Sequence, residues 1–103
     1  MEKKRIVIHG AAGRMGQRLI ALATVDSQWE IVGALESANH PQIGNDAGEI
    51  AGVGPMQLPL ESTLPEADVV VDFSVPEATV TLAQVCATHG VPLVTATTGL
   101  DDK

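Results

Sequence analysis

An open α/β fold built on a parallel sheet is the class this chain predicts, and three observations carry the prediction. Apolar, largely β-branched runs at 5–9, 30–36, 67–73 and 91–95 read as strands. Two stretches with apolar residues at helical spacing, from Arg14 and from Ser74, fall between them. Strands alternating with amphipathic helices wind into right-handed βαβ units. Third, the run I-V-I-H-G-A-A-G-R-M-G at 6–16 carries a buried strand into a helix through three glycines at three-residue intervals. That order suits a tight turn whose following amides face a phosphate.

Taken in order, residues 5–9 are apolar enough for a central strand covered on both faces. From Arg14 to about Val25 the apolar stripe is read as Met15, Leu19, Leu22 and Ala23, and Asp26 to Gln28 breaks it. The second strand, 30–36, ends on Glu36. Residues 37–55 are rich in Gly, Asn, Asp, Ala and Pro without a period, and are expected to form a long loop, functional or mobile. Residues 56–60 are read as a short edge strand, where Pro59 is tolerated. After the strand at 67–73, S-V-P-E at 74–77 is a capping-box pattern with proline in the first turn. Its helix carries Ala78, Leu82, Val85 and Cys86 on one stripe and stops at Gly90. The strand at 91–95 opens into A-T-T-G at 96–99.

At 103 residues the chain is one domain at most. Its 45% hydrophobic and 18% charged content is that of a globular protein. No run approaches the ~20 apolar residues of a membrane span, and the start lacks the pattern of a signal peptide, so a cytoplasmic protein is expected. A net charge of −7 argues against nucleic acid as a partner. It leaves a phosphate-bearing cofactor open, because amides and a helix dipole hold phosphate without bulk positive charge. The one cysteine, Cys86, is expected in the core.

In the usual dinucleotide fingerprint, one glycine makes the turn, one admits the pyrophosphate and one lets helix pack on strand. Gly13 and Gly16 match the second and third, whereas Ala11 stands at the first position with Gly10 before it. The amides from Ala11 through Met15, including those of Ala12 and Arg14, are expected to face the ligand. No G-K-[ST] ends the turn, which excludes a Walker loop. Glu36, twenty positions past Gly16, is placed to accept hydrogen bonds from the adenosine ribose hydroxyls. Its charge repels a 2′-phosphate and leans the site toward NADH over NADPH; Arg14 works in the opposite direction.

His9, His40 and His89 lack metal-ligand spacing and are read as structural, so no metal is expected. Asp68 and Asp72 are read as solvated or loop-bonded strand ends. No nucleophile, base and acid come together, and no catalytic residue is assigned in this chain. The turn alone suits several amino-acid-pathway dehydrogenases, aspartate and homoserine dehydrogenases among them. It equally suits a non-catalytic nucleotide- or CoA-binding module.

Five segments in order narrow this: G-A-A-G-R-M-G at 10–16, G-N-D-A-G-E-I-A-G at 44–52, V-D-F-S-V-P-E-A at 71–78, H-G at 89–90 and T-T-G at 97–99. Together the chain resembles the 4-hydroxy-tetrahydrodipicolinate reductase (dihydrodipicolinate reductase) family of bacterial lysine and diaminopimelate synthesis. The resemblance implies a Rossmann-like parallel sheet with flanking helices, incomplete relative to the family's domain. It implies that residues 1–103 are the front part of the N-terminal dinucleotide-binding domain, with a C-terminal substrate and tetramerisation domain absent from this chain. The activity implied is hydride transfer from NADH or NADPH to the dehydrated form of 4-hydroxy-tetrahydrodipicolinate, giving tetrahydrodipicolinate, by a full-length homotetramer. By motif, Gly10, Ala11, Ala12, Gly13, Arg14 and Met15 hold the pyrophosphate and Glu36 the ribose. Phe73 lies beside the cofactor. Ala96, Thr97 and Thr98 line its nicotinamide end, with Thr98 also near substrate. Ser37 stands where some members carry an arginine for a 2′-phosphate, which again leans to NADH. Catalytic groups are implied to lie in the later domain, so 1–103 alone is expected not to turn over.

Overall fold

The computed structural model describes residues 4–26, 28–73 and 76–95. In chain order these form β1 (Lys4–His9), α1 (Arg14–Thr24), β2 (Trp29–Leu35), α2 (Ala47–Ala51), β3 (Val69–Asp72), α3 (Pro76–His89) and β4 (Leu93–Thr95). The strands make one sheet in the order β2-β1-β3-β4, every neighbouring pair parallel. Parallel neighbours need crossovers, which α1 and α3 supply for β1–β2 and β3–β4. The α/β, Rossmann-like class read from the sequence is the architecture observed.

Alternation along the strands sorts their side chains onto two faces. Ile6 and Ile8 of β1 pack with Ile20 of α1, Ala47 of α2 and Leu60. Val7 points to the opposite side and packs with Val70, Leu35, and Leu82 and Cys86 of α3. The two helices therefore cover opposite faces of the sheet. Cys86 is buried as expected, and burial together with the nearby Asp72 charge pushes its thiol pKa up. A bulge between Ile6 and Val7 shifts the β1–β2 register by one residue, close to Gly33, which lies against Val7 and Pro65.

Four expectations are corrected. The face of α1 turned to the sheet runs through Gly16, Ile20 and Ala23, while Met15 is 47% and Leu22 60% exposed. Gly16 supplies no side chain, so the hydrophobic count overlooked the line along which the helix touches the sheet. The long loop contains α2: Asp46 caps it through Glu49 N–H, and Gly52 follows it. The edge strand at 56–60 is absent, leaving one isolated bridge from Pro59 to Asp46. What orders that segment is the Asp46 carboxylate, which accepts from Met56 N–H at 2.9 Å and Leu58 N–H at 2.8 Å. Fourth, Asp72 is not solvated but wholly buried. The capping-box residues Ser74 and Val75 lie outside the described residues.

Candidate functional site

From β1 the chain winds one way to β2 across one face, and from β3 the other way to β4 across the opposite face. The helices α1 and α3 therefore lie on opposite faces, and a crevice opens at the carboxyl ends of the adjacent strands β1 and β3. In wound α/β sheets such a switch point is where ligands bind.

The glycine turn sits at this crevice. Gly10 has φ +81°, a left-handed conformation that glycine adopts without a Cβ penalty. This bend brings the Gly10 and Ala11 N–H groups onto the Leu35 carbonyl at 2.9 and 3.2 Å, tying the turn to the end of β2. Gly13 N–H donates to the Gly10 carbonyl at 3.1 Å, and Gly13 then caps α1. Gln17 adds a side-chain bond to the Ala12 carbonyl at 2.7 Å. A Cβ at Gly16 would meet the Gly10 carbonyl oxygen and lie 2.7 Å from Ala11 Cα. Gly16 is thus where helix and turn touch, the packing role its place in the motif predicts. No side chain caps α1, so its first-turn amides from Arg14 onward are without the cap that would satisfy them internally. Of the five amides expected to face a ligand, that of Ala11 is bonded to Leu35, that of Ala12 to Glu36 and that of Gly13 to Gly10.

Glu36 follows β2 and turns back over this loop: its Oε2 accepts from Ala12 N–H at 3.0 Å. A carboxylate on a turn amide is an anion held by a backbone donor, the chemistry a phosphate would use. The acid and the turn named from the sequence are thus brought into one site. Arg14 and Met15 stand exposed at the start of α1. Phe73, half-buried at the end of β3, lies on the α1 side in a groove with Ile6, Leu19, Val71 and Val94. It does not share the Glu36 cavity. Ala96, Thr97 and Thr98 lie outside the described residues.

Beneath Glu36, on the α3 side, a cavity of about 410 Å³ is lined by Leu35, Leu64, Leu82 and Val85, with His9 and Glu36 among its polar residues. His9 and Asp72 are register partners on β1 and β3, and His9 Nδ1 lies 2.9 Å from Asp72 Oδ1. This buried pair was missed as a pair. The signal was present, since each residue ends an apolar run on a strand, and parallel neighbours place such ends side by side.

The remaining polar candidates are local. Asp68 accepts from Arg5 N–H at 2.7 Å, with the Arg5 guanidinium at 3.5 Å, and these contacts hold its pKa below the usual carboxylate value. His40 Nδ1 accepts from Gln42 N–H, and His89 is the last residue of α3. Among the described residues no three His, Cys, Asp or Glu side chains group as metal ligands. Among the same residues no helix is long and apolar enough to cross a membrane.

A glycine turn at the switch point of a parallel sheet, with an acid folded over it, defines a Rossmann-like α/β domain of the nucleotide-binding type. Residues 4–103 match the family described as "Dihydrodipicolinate reductase, N-terminus", and the chain belongs to that family. It is 41% identical over 104 residues to the 4-hydroxy-tetrahydrodipicolinate reductase of Rhodopirellula baltica, covering 95% of this chain and 37% of the relative. Against the enzyme of that name from Alkalilimnicola ehrlichii, identity is 45% over 102 residues, covering 95% and 38%. The chain therefore spans well under half the length of these curated relatives. Among solved structures, aspartate semialdehyde dehydrogenase with NADP from Candida albicans superposes with a TM-score of 0.76 at 19% identity, over 95% of this chain and 30% of that one. Dipicolinate-bound dihydrodipicolinate reductase from Paenisporosarcina sp. TG-14 gives 0.68 at 21%, over 98% and 40%. At those identities the two structures speak to the fold alone.

Proposed function

We propose that this chain is the dinucleotide-binding part of a reductase that passes hydride from NADH or NADPH to the dehydrated form of 4-hydroxy-tetrahydrodipicolinate. The observation that carries the reading is the Glu36 carboxylate at 3.0 Å from the Ala12 amide, which unites a ribose acceptor with a phosphate-type turn. The residues fit a dinucleotide: Gly10 to Met15 would hold the pyrophosphate and Glu36 the adenosine ribose. Phe73, Ala96, Thr97 and Thr98 are assigned to the nicotinamide end, Thr98 with a substrate contact. A nicotinamide supplies the hydride when bound; this chain grips and orients it.

Family membership and the names of the relatives support the substrate, and the same family resemblance is the basis for a homotetrameric full-length enzyme. The chain as given is residues 1–103, and within it we assign no catalytic group; it binds dinucleotide without turnover. NADH is the preferred cofactor, since a carboxylate at the ribose repels a 2′-phosphate. Glu36→Ala tests the assignment by equilibrium titration. The variant is expected to bind NADH about tenfold more weakly, the loss of a charge-assisted hydrogen bond, and NADPH no more weakly than before. An unchanged ratio of the two affinities would remove Glu36 from the ribose.

A further inference from the structure

We propose that His9 is a ligand-binding residue whose Nε2 accepts a hydrogen bond from the adenosine part of the bound dinucleotide, with Asp72 as its positioning residue. The inference rests on the dinucleotide reading above and adds a contact that the glycine turn and Glu36 do not make. His9 ends β1 and is only 9% exposed. Asp72, its register partner, is fully buried, and its Oδ1 lies 2.9 Å from Nδ1. A carboxylate offers only acceptors, so Nδ1 carries the hydrogen of this bond, and on the neutral ring Nε2 is left as the acceptor. Among the described residues Nε2 has no hydrogen-bond partner, although nearly all buried polar atoms in proteins have one.

The cavity that His9 lines states what that partner must be. Its walls are apolar, from Leu35, Leu64, Leu82 and Val85, and it opens beside Glu36. Such a lining suits a flat, largely uncharged group oriented by a few polar contacts. Among the described residues the titratable groups about the ring are Asp72 from β3 and Glu36 beyond β2, with Cys86 from α3 near Asp72. Two carboxylates disfavour a phosphate here and favour a neutral group that donates hydrogen bonds. Adenosine is the part of a dinucleotide with that chemistry, through its ribose hydroxyls and amino group. The pyrophosphate is left to the turn above.

The test uses ADP-ribose, which carries the adenosine, and nicotinamide mononucleotide, which lacks it. In the wild-type protein labelled with ¹⁵N at histidine, ADP-ribose should shift the His9 Nε2 resonance and the mononucleotide should not. His9→Phe keeps the ring's bulk and should bind ADP-ribose about tenfold more weakly, as one lost hydrogen bond to a buried group implies, with mononucleotide affinity unchanged. Asp72→Asn should weaken ADP-ribose binding and move the ¹⁵N shifts of both ring nitrogens, a tautomer signature that loss of packing alone would not produce. If the wild type binds ADP-ribose and Nε2 stays still, the His9 contact is overturned while the dinucleotide reading stands. If the wild type binds neither ADP-ribose nor NADH, both fall. Should His9→Phe fail to fold, the wild-type resonance decides.

Discussion

Gly16 and Asp46 show how single residues set this molecule's geometry. At Gly16 any side chain would enter the backbone of the turn at Gly10 and Ala11. Gly16→Ala should therefore push α1 off the sheet, costing about 1–3 kcal/mol in urea unfolding as other overpacked sites do, and weaken dinucleotide binding with it. A variant of unchanged stability would mean that helix and turn are less tightly joined than described. Asp46 accepts from the amides of Glu49, Met56 and Leu58, and these bonds, those of Leu58 and Met56 foremost, hold its pKa below 3.8. A lowered folded-state pKa contributes stability that is present above the unfolded value and lost as pH falls through the folded one. Acid unfolding below about pH 4 should thus be shallower in Asp46→Asn than in the wild type. Parallel acid limbs in the two proteins would contradict that role. Both residues lie inside motifs readable in the sequence. Gly16's packing task was legible from its place in the fingerprint, whereas the three bonds of Asp46 depend on where a distant loop returns.

At the scale of elements, strands and crossovers were legible because continuous β-branched apolar runs and stripes of period 3.6 leave direct marks. The α1 helix was placed within a residue of its observed end, but its inward face was not. Leu22 was counted inward on hydrophobicity and stands 60% exposed, while Ile20, left off the stripe, is fully buried. Ile20→Ala should then cost about 2–5 kcal/mol, and Leu22→Ala within about 0.5 kcal/mol of nothing, both read by chemical denaturation. Similar losses at the two positions would reverse the assignment. The short helix α2 escaped notice because five residues carry no periodicity. Its signal was the D-x-x-E spacing of Asp46 and Glu49, an N-cap with an acid at the third position. The supposed strand at 56–60 failed for the opposite reason. Alternation there reflects Leu58 and Leu60 packing against the α1-side core while the backbone bonds mostly to Asn45, Asp46 and Ala47 rather than to a strand.

Across the whole molecule, one sheet divides two apolar clusters and raises the turn, Glu36 and His9 at the carboxyl ends of its strands. The α3-side cavity and the α1-side groove flank that crevice, and only the former contains Glu36. The candidate site was therefore legible as far as its class. Glycine spacing and an acid at the end of the second strand marked it before any geometry was known. Of the His9–Asp72 pair the sequence shows that each residue ends an apolar strand run, while which strand ends lie side by side is a property of the assembled sheet. The central claim is that this crevice takes a nicotinamide dinucleotide through Glu36 and the turn, and equilibrium titration of the purified protein with NADH, NADPH and CoA tests it most directly. Saturable binding of NADH, weaker binding of NADPH and no displacement by CoA is the result expected on the proposed function. Binding of CoA with neither dinucleotide bound would contradict it.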